Sequence, residues 1–151
     1  MTTENLEIDC AIQIQKPIHE VFEAIVNPEL MSQYFIGQSS GRMESGKEII
    51  WKFPEFETEF PIRVGLIEMN QSVSFYWTMD NIETKVQINL TIKENNATLV
   101  SIKEKSRIND AKGIQWLTGN SFGWSNFLAC LKAYLEYGIN LRKGAFDFMK
   151  K

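Results

Sequence analysis

The chain has 151 residues, a formal net charge of −3, 44% hydrophobic and 23% charged residues, and 2 cysteines. That length suits one domain spanning 1–151, large enough to bury an apolar core with no metal or disulfide to hold it. The acidic balance offers no long-range attraction to a polyanion, so nucleic acid is not an expected partner; Cys10 and Cys130 lie far apart, outside any C-x-x-C or Cys/His cluster, and read as small buried apolar residues.

The opening Met1-Thr-Thr-Glu-Asn-Leu6 has neither the basic flank nor the apolar stretch of a signal peptide, and no apolar run approaches the roughly 18 residues of a membrane span. A cytoplasmic protein without membrane insertion is expected. Residues 6–14 alternate, with Leu6, Ile8, Cys10, Ile12 and Ile14 on one face, as in a half-buried strand. Pro17 opens a short helix to Val26, with Ile18, Val21, Phe22 and Ile25 at helical spacing. Asn27-Pro28 ends it and starts a second short helix toward Tyr34.

A short strand carrying Arg42 and Met43 is expected between Ser39-Ser40-Gly41 and Ser45-Gly46. Glu48 to Phe53 follows, with Ile49, Trp51 and Phe53 on one face, and the acidic stretch to Glu59 reads as a solvated turn. Phe60, Ile62, Val64 and Leu66 continue the alternation, and Pro61 implies a sheet edge or a bulge. Val73, Phe75 and Trp77 mark the next strand. Two long strands, 84–94 and 97–108, meet at Asn95-Asn96, residue types that tolerate a left-handed turn. Val86, Ile88, Leu90 and Ile92 then face the same way as Thr98, Val100 and Ile102. The last long element is a helix over 112–137, with a broad apolar stripe through Ile114, Leu117, Ser121, Trp124, Leu128, Leu131 and Leu135. Trp116, Phe127 and Tyr134 widen the stripe, and Gly138 provides the stop. Residues 139–151 suit a short helical or partly mobile tail; Phe146 and Phe148 with Lys143, Lys150 and Lys151 give it a weakly amphipathic character.

The order, strand, two short helices, a run of strands and one long helix, defines an α+β fold: a curved antiparallel sheet of about six or seven strands wrapped around a C-terminal helix. Three local motifs are similar to those of a known group. Ile14-Gln-Lys-Pro17-Ile-His-Glu-Val21-Phe22 resembles its strand-to-helix opening. Asn27-Pro28-Glu29-Leu30 followed by Tyr34-Phe35 resembles its next motif, with Tyr34 where Trp is usual. Gly123-Trp124 through Leu135-Glu136-Tyr137-Gly138 resembles its closing helix. The group is the Hsp90-ATPase-activator-like branch of the START-like (SRPBCC, Bet v 1-like) superfamily. The resemblance implies a helix-grip domain with a core of about 6–138 and a cavity between sheet and helix. It also implies an Hsp90-type chaperone as a second candidate partner.

The residues expected around that cavity are Trp51, Phe53, Ile62, Val64, Phe75, Trp77, Ile88, Leu90, Val100, Glu104, Trp116, Asn120, Trp124, Phe127 and Leu128. Many large rings facing one helix leave gaps, and indole N–H groups need acceptors that a ligand or water can provide. Gly119 and Gly123 either leave space beneath the sheet or allow close contact with it. Glu104 continues the inward parity of Val100 and Ile102, and an inward carboxylate needs a partner, for which Arg63 and Arg107 are the candidates. His19, the only histidine, reads as a solvated residue beside Glu20. No nucleophile–base motif, metal-ligand spacing or nucleotide-binding loop is present in the sequence, so no cofactor is expected. The leading expectation is a non-catalytic domain, monomeric or homodimeric, that binds a small apolar ligand, a lipid or an aromatic metabolite. A co-chaperone-like module and a cyclase- or hydrolase-type enzyme using the same cavity are the alternatives.

Overall fold

The computed structural model describes residues 5–150. Strand β1 (Asn5–Ile14) buries Ile8 and Ile14 and turns Glu7, Asp9 and Gln13 to solvent, as alternation requires. Pro17 caps helix α1 (Ile18–Val26), its fixed φ of −61° suiting the entry. Helix α2 (Pro28–Met31) is a single turn, whose Glu29 amide donates to the Asn27 side-chain oxygen at 3.0 Å. The chain then turns so that Tyr34 and Phe35 enter the core, and the Tyr34 hydroxyl donates to the Ala24 carbonyl at 2.7 Å.

Strand β2 is only Gln38–Ser39. The expected strand through Arg42 and Met43 does not form, because both residues are engaged by α1. Arg42 makes a bidentate pair with Glu23 at 2.6 and 2.9 Å, and the Met43 amide donates to the Val26 carbonyl at 3.1 Å. Strands β3 (Glu48–Lys52), β4 (Glu59–Glu68), β5 (Ser72–Met79), β6 (Ile82–Lys93) and β7 (Ala97–Ile108) follow. The sheet has seven antiparallel strands in the order β1-β7-β6-β5-β4-β3-β2. Its hairpins turn at Asn70, at Asp80–Asn81 and at Asn95–Asn96, all with φ between 52° and 64°. Asn and Asp enter this left-handed region at little cost.

Two inward assignments in the strands fail. Leu66 is 62% exposed because a bulge between Val64 and Ile67 reverses the parity of β4 and brings Ile67 inward instead. Ile92 is 69% exposed; it has inward parity but stands one residue from the end of β6, just before the β6–β7 turn. Pro61 pairs with Ile50 of β3 and precedes Arg63, where the β4–β5 ladder begins, so its missing N–H breaks no bond on that side.

Helix α3 (Ala111–Tyr137) is capped by Asp110, whose carboxylate accepts the Gly113 amide at 2.7 Å. A Cβ at Gly113 would lie 2.0 Å from the Ile108 carbonyl oxygen, so only glycine permits this tight exit from β7. Gly138 ends the helix in the left-handed conformation, φ 66°. The buried stripe runs through Trp116, Trp124, Phe127, Leu128 and Leu131, whereas Ile114 is 52% exposed. The predicted stripe thus holds except at its first member, Ile114, which faces solvent in the first turn. The C-terminal half lies along β1: Lys132 donates to the Gln13 carbonyl at 2.8 Å and Glu136 accepts the Gln15 amide at 2.9 Å. A sheet edge that would otherwise be open is covered in this way.

The segment after α3 forms turns and a short 3₁₀ stretch, Asp147–Met149, and it docks through Phe146, which is buried. Lys151 lies outside the described residues, as do Met1 to Glu4 at the other terminus. Among the described residues no helix is long and apolar enough to cross a membrane.

Candidate functional site

Alternation along β7 carries Val100, Ile102 and Glu104 to the concave face, and Glu104 is 0% exposed. A carboxylate buried there is stable only if its oxygens are bonded. Four donors supply this. Oε2 accepts Trp77 Nε1 at 2.9 Å and the Thr84 hydroxyl at 2.5 Å. Oε1 accepts Trp124 Nε1 at 2.8 Å and Asn120 Nδ2 at 3.1 Å. Trp77 and Thr84 are cross-strand partners on β5 and β6, and Asn120 and Trp124 are one turn apart on α3. One carboxylate therefore ties three strands to the long helix.

The arginine partners predicted for Glu104 are elsewhere. Arg63 is half exposed and pairs with Glu83 at 2.9 Å. Arg107 is buried, donates to the Met79 carbonyl at 2.8 Å and lies 5.6 Å from the Trp116 ring. The bulge opposite Leu6 and Glu7 separates Arg107 from the register of Glu104, and the neutral donors have taken every direction around the carboxylate. The sequence alone overlooked Thr84, although its parity with Val86 and Ile88 was the available signal.

Against the Trp77–Trp124 side of this network lies a pocket of about 190 Å³. Phe60, Trp77 and Met79 wall it from the sheet, Asn120, Gly123 and Trp124 from α3, and Phe35, Phe53, Phe56 and Arg142 from irregular segments. Of the residues anticipated from sequence, Phe53, Trp77, Asn120 and Trp124 line it and Glu104 backs it. Trp51, Ile62, Val64, Phe75, Ile88, Leu90, Val100, Phe127 and Leu128 are buried in the adjoining core and outside the lining. There the rings interlock edge to face, Trp51 with Phe75 at 5.1 Å and Phe75 with Trp77 at 5.5 Å between centroids. Trp116 stands farther along α3, at a polar depression with Lys112 and Gln115. The Trp51 and Trp116 Nε1 atoms are buried without an acceptor among the described residues. Open space surrounds the Cβ positions of Gly119 and Gly123, and only Gly123 borders the pocket.

Phe35, Phe56, Phe60, Met79 and Arg142 complete the wall without having been anticipated in it. Arg142 comes from the tail and donates to Glu55 at 2.6 Å, with side-chain exposures of 14% and 3%. Glu55 is therefore not part of a solvated acidic turn, since it folds inward to meet a cation 87 residues away. Local periodicity holds no sign of such a pair. A wider depression of about 900 Å³ borders the same loop, but its buried polar group, Glu55, is already engaged by Arg142. His19 is exposed, as expected. Burial raises the Cys130 thiol above its ordinary range despite the nearby Arg142 charge, which leaves it a poor nucleophile.

The model of the Activator of Hsp90 ATPase homolog 1-like family matches residues 15–136. The chain belongs to this family. A similar family fold is found in the crystal structure of SSP2350 from Staphylococcus saprophyticus, which is 32% identical, with 91% of this chain and 96% of that one covered and a TM-score of 0.78. The solution structure of the Aha1 dimer from Colwellia psychrerythraea is 20% identical, with 88% and 98% coverage and a TM-score of 0.75. DynU16, from the dynemicin biosynthetic locus, is 24% identical with a TM-score of 0.78; 87% of this chain is covered, and it spans 48% of that protein. The latter two similarities show the helix-grip fold alone. No curated relative matches the chain.

Proposed function

We propose that this family member is a non-catalytic binding domain for a compact apolar ligand, held between the sheet and α3. The observation that carries this reading is the 190 Å³ ring-lined pocket, whose two indoles are held in place by Glu104. Size favours one of the two ligand classes expected from sequence. An apolar cavity of about 150 Å³ accommodates benzene, whereas pockets for larger ligands run from about 300 Å³ upward. The pocket therefore suits one ring or a short branched alkyl group better than a long-chain lipid. Apolar burial would supply most of the affinity, at roughly 25 cal/mol per Å² before ordering costs. Glu104 supports binding rather than catalysis, because both its oxygens are occupied and no arginine pairs with it.

Gly123→Leu tests the proposal. The space around the Gly123 Cβ accepts a side chain, and the helix gains propensity, so the variant should keep its stability while the leucine fills the pocket. Ring-sized ligands such as toluene should bind the wild type and not this variant, as followed by titration of the Trp77 and Trp124 indole resonances. Equal binding by both proteins would remove the pocket from consideration.

The family description supports a second reading, a co-chaperone-like module acting on an Hsp90-type chaperone. It predicts a changed chaperone ATPase rate in the presence of this protein. No change at large excess would end that reading.

A further inference from the structure

The pocket offers a ligand few hydrogen-bonding groups, and these groups define the chemistry of its occupant. Both indole N–H groups in the wall are consumed by Glu104, at 2.9 and 2.8 Å, and so is the Asn120 amide, at 3.1 Å. Arg142 is the cation in the lining. One of its N–H groups goes to Glu55; among the described residues Nη1 has no acceptor and is not sealed off, whereas Nε, also without an acceptor, is fully buried. The Phe146, Phe53 and Phe35 rings flank the guanidinium at 4.8, 5.4 and 5.9 Å from Cζ. A guanidinium has five donors in a planar fork, so capacity remains here after the bond to Glu55.

Charge narrows the choice further. Arg142 is already neutralised by Glu55, which is nearly inaccessible. On the opposite wall, behind the indoles, lies the fully buried Glu104, which forms no ion pair among the described residues. An anionic ligand would add a desolvated negative charge beside two carboxylates, with the one lining guanidinium, Arg142, already paired; the buried Arg107 is held by the Met79 carbonyl and lies outside the lining, so the arrangement is unfavourable in a low-dielectric site. A neutral oxygen acceptor takes up the spare Arg142 donor and disturbs neither pair.

We infer that the ligand is a neutral, ring-sized molecule with a carbonyl-type acceptor, and that Arg142 is the residue that selects it; carboxylate amphiphiles such as fatty acids are excluded. The inference rests on the pocket reading above and specifies its substrate class.

Three near-isosteric probes test it by calorimetry, with the Trp77 and Trp124 indole resonances locating the site: α-methylstyrene, acetophenone and benzoate. The wild type should bind acetophenone about three- to tenfold more tightly than α-methylstyrene, the effect of one net hydrogen bond. Benzoate should bind at least about tenfold more weakly than either, from the charge penalty. The double variant Arg142→Met with Glu55→Gln removes the donor and leaves no unpaired charge; it should lose the acetophenone preference and still bind α-methylstyrene. Glu55→Gln alone leaves Arg142 unmatched and should strengthen benzoate binding relative to wild type. If α-methylstyrene binds as tightly as acetophenone, or benzoate as tightly as either, the pocket stands and this inference is overturned. If none of the three binds, the pocket reading falls and this inference falls with it.

Discussion

The two ends of the space between sheet and helix contain the same kinds of residue, yet one is solid and the other open. At the solid end Tyr34, Trp51, Phe75 and Phe127 are each at most 2% exposed, packed among the strands, the α1–α2 region and the C-terminal half of α3. At the open end Phe53 and Phe60 are only partly buried, and Phe56 is 40% exposed. Strands, helices and the tight turn at 32–35 cover the first, and the loop at 53–58 and the tail after Gly138 cover the second. Aromatic content does not create a pocket by itself. A pocket forms where the covering backbone is irregular and cannot bring its side chains flush against the rings.

The contrast is most sharply tested by truncation at each end. Trp51→Ala or Phe75→Ala should cost about 3–5 kcal/mol in urea unfolding, from lost transfer energy and an unfilled cavity. Phe56→Ala should cost under about 1 kcal/mol; similar losses at both ends would erase the distinction. Next in size is Glu104→Gln, expected to cost about 1–3 kcal/mol. Its amide nitrogen must face a donor, and the tryptophan emission spectrum should shift because an indole loses its acceptor. An unchanged spectrum and midpoint would show that the carboxylate does not organise the wall.

Arg142→Ala should cost less, about 1–2 kcal/mol, because Glu55 can swing into water once its partner is gone. Its effect should be local, with faster amide exchange in the loop at 53–58 and in the tail, and no change in β6 or β7. The smallest effect concerns the surface pair of Glu23 and Arg42. The hydrogen bond from Arg42 lowers the Glu23 pKa, outweighing the slight rise from burial. A lowered folded-state pKa means that the stabilisation is present above the ordinary glutamate range and is lost as pH falls through the folded value. Both side chains are about 40% exposed, so Arg42→Ala should cost at most about 1 kcal/mol at pH 7 and close to nothing in strong acid. Urea midpoints at the two pH values check this.

Several parts of the site were legible in the sequence. Alternation placed Glu104 inward with Val100 and Ile102, because strand parity is a strictly local property. Local periodicity failed at Leu66, where a bulge reset the parity, and at Ile114, exposed in the first turn of the helix although Trp116 and Trp124 of the same broad stripe face the core as expected. The partners of Glu104 were not legible. An indole and an arginine are equally acceptable donors on paper, and only the register of β5, β6 and α3 brings Trp77, Thr84, Asn120 and Trp124 into reach.

From the residues alone follow most of the element order and the Asn-rich turns, because propensity, periodicity and turn chemistry act over a few neighbours; the family and its helix-grip fold were suggested by the resemblance of three local motifs. The tertiary structure decided which rings interlock and which enclose space, and it joined Glu55 to Arg142 across 87 positions. Contacts of that range depend on how whole elements are stacked, and no local pattern records that distance.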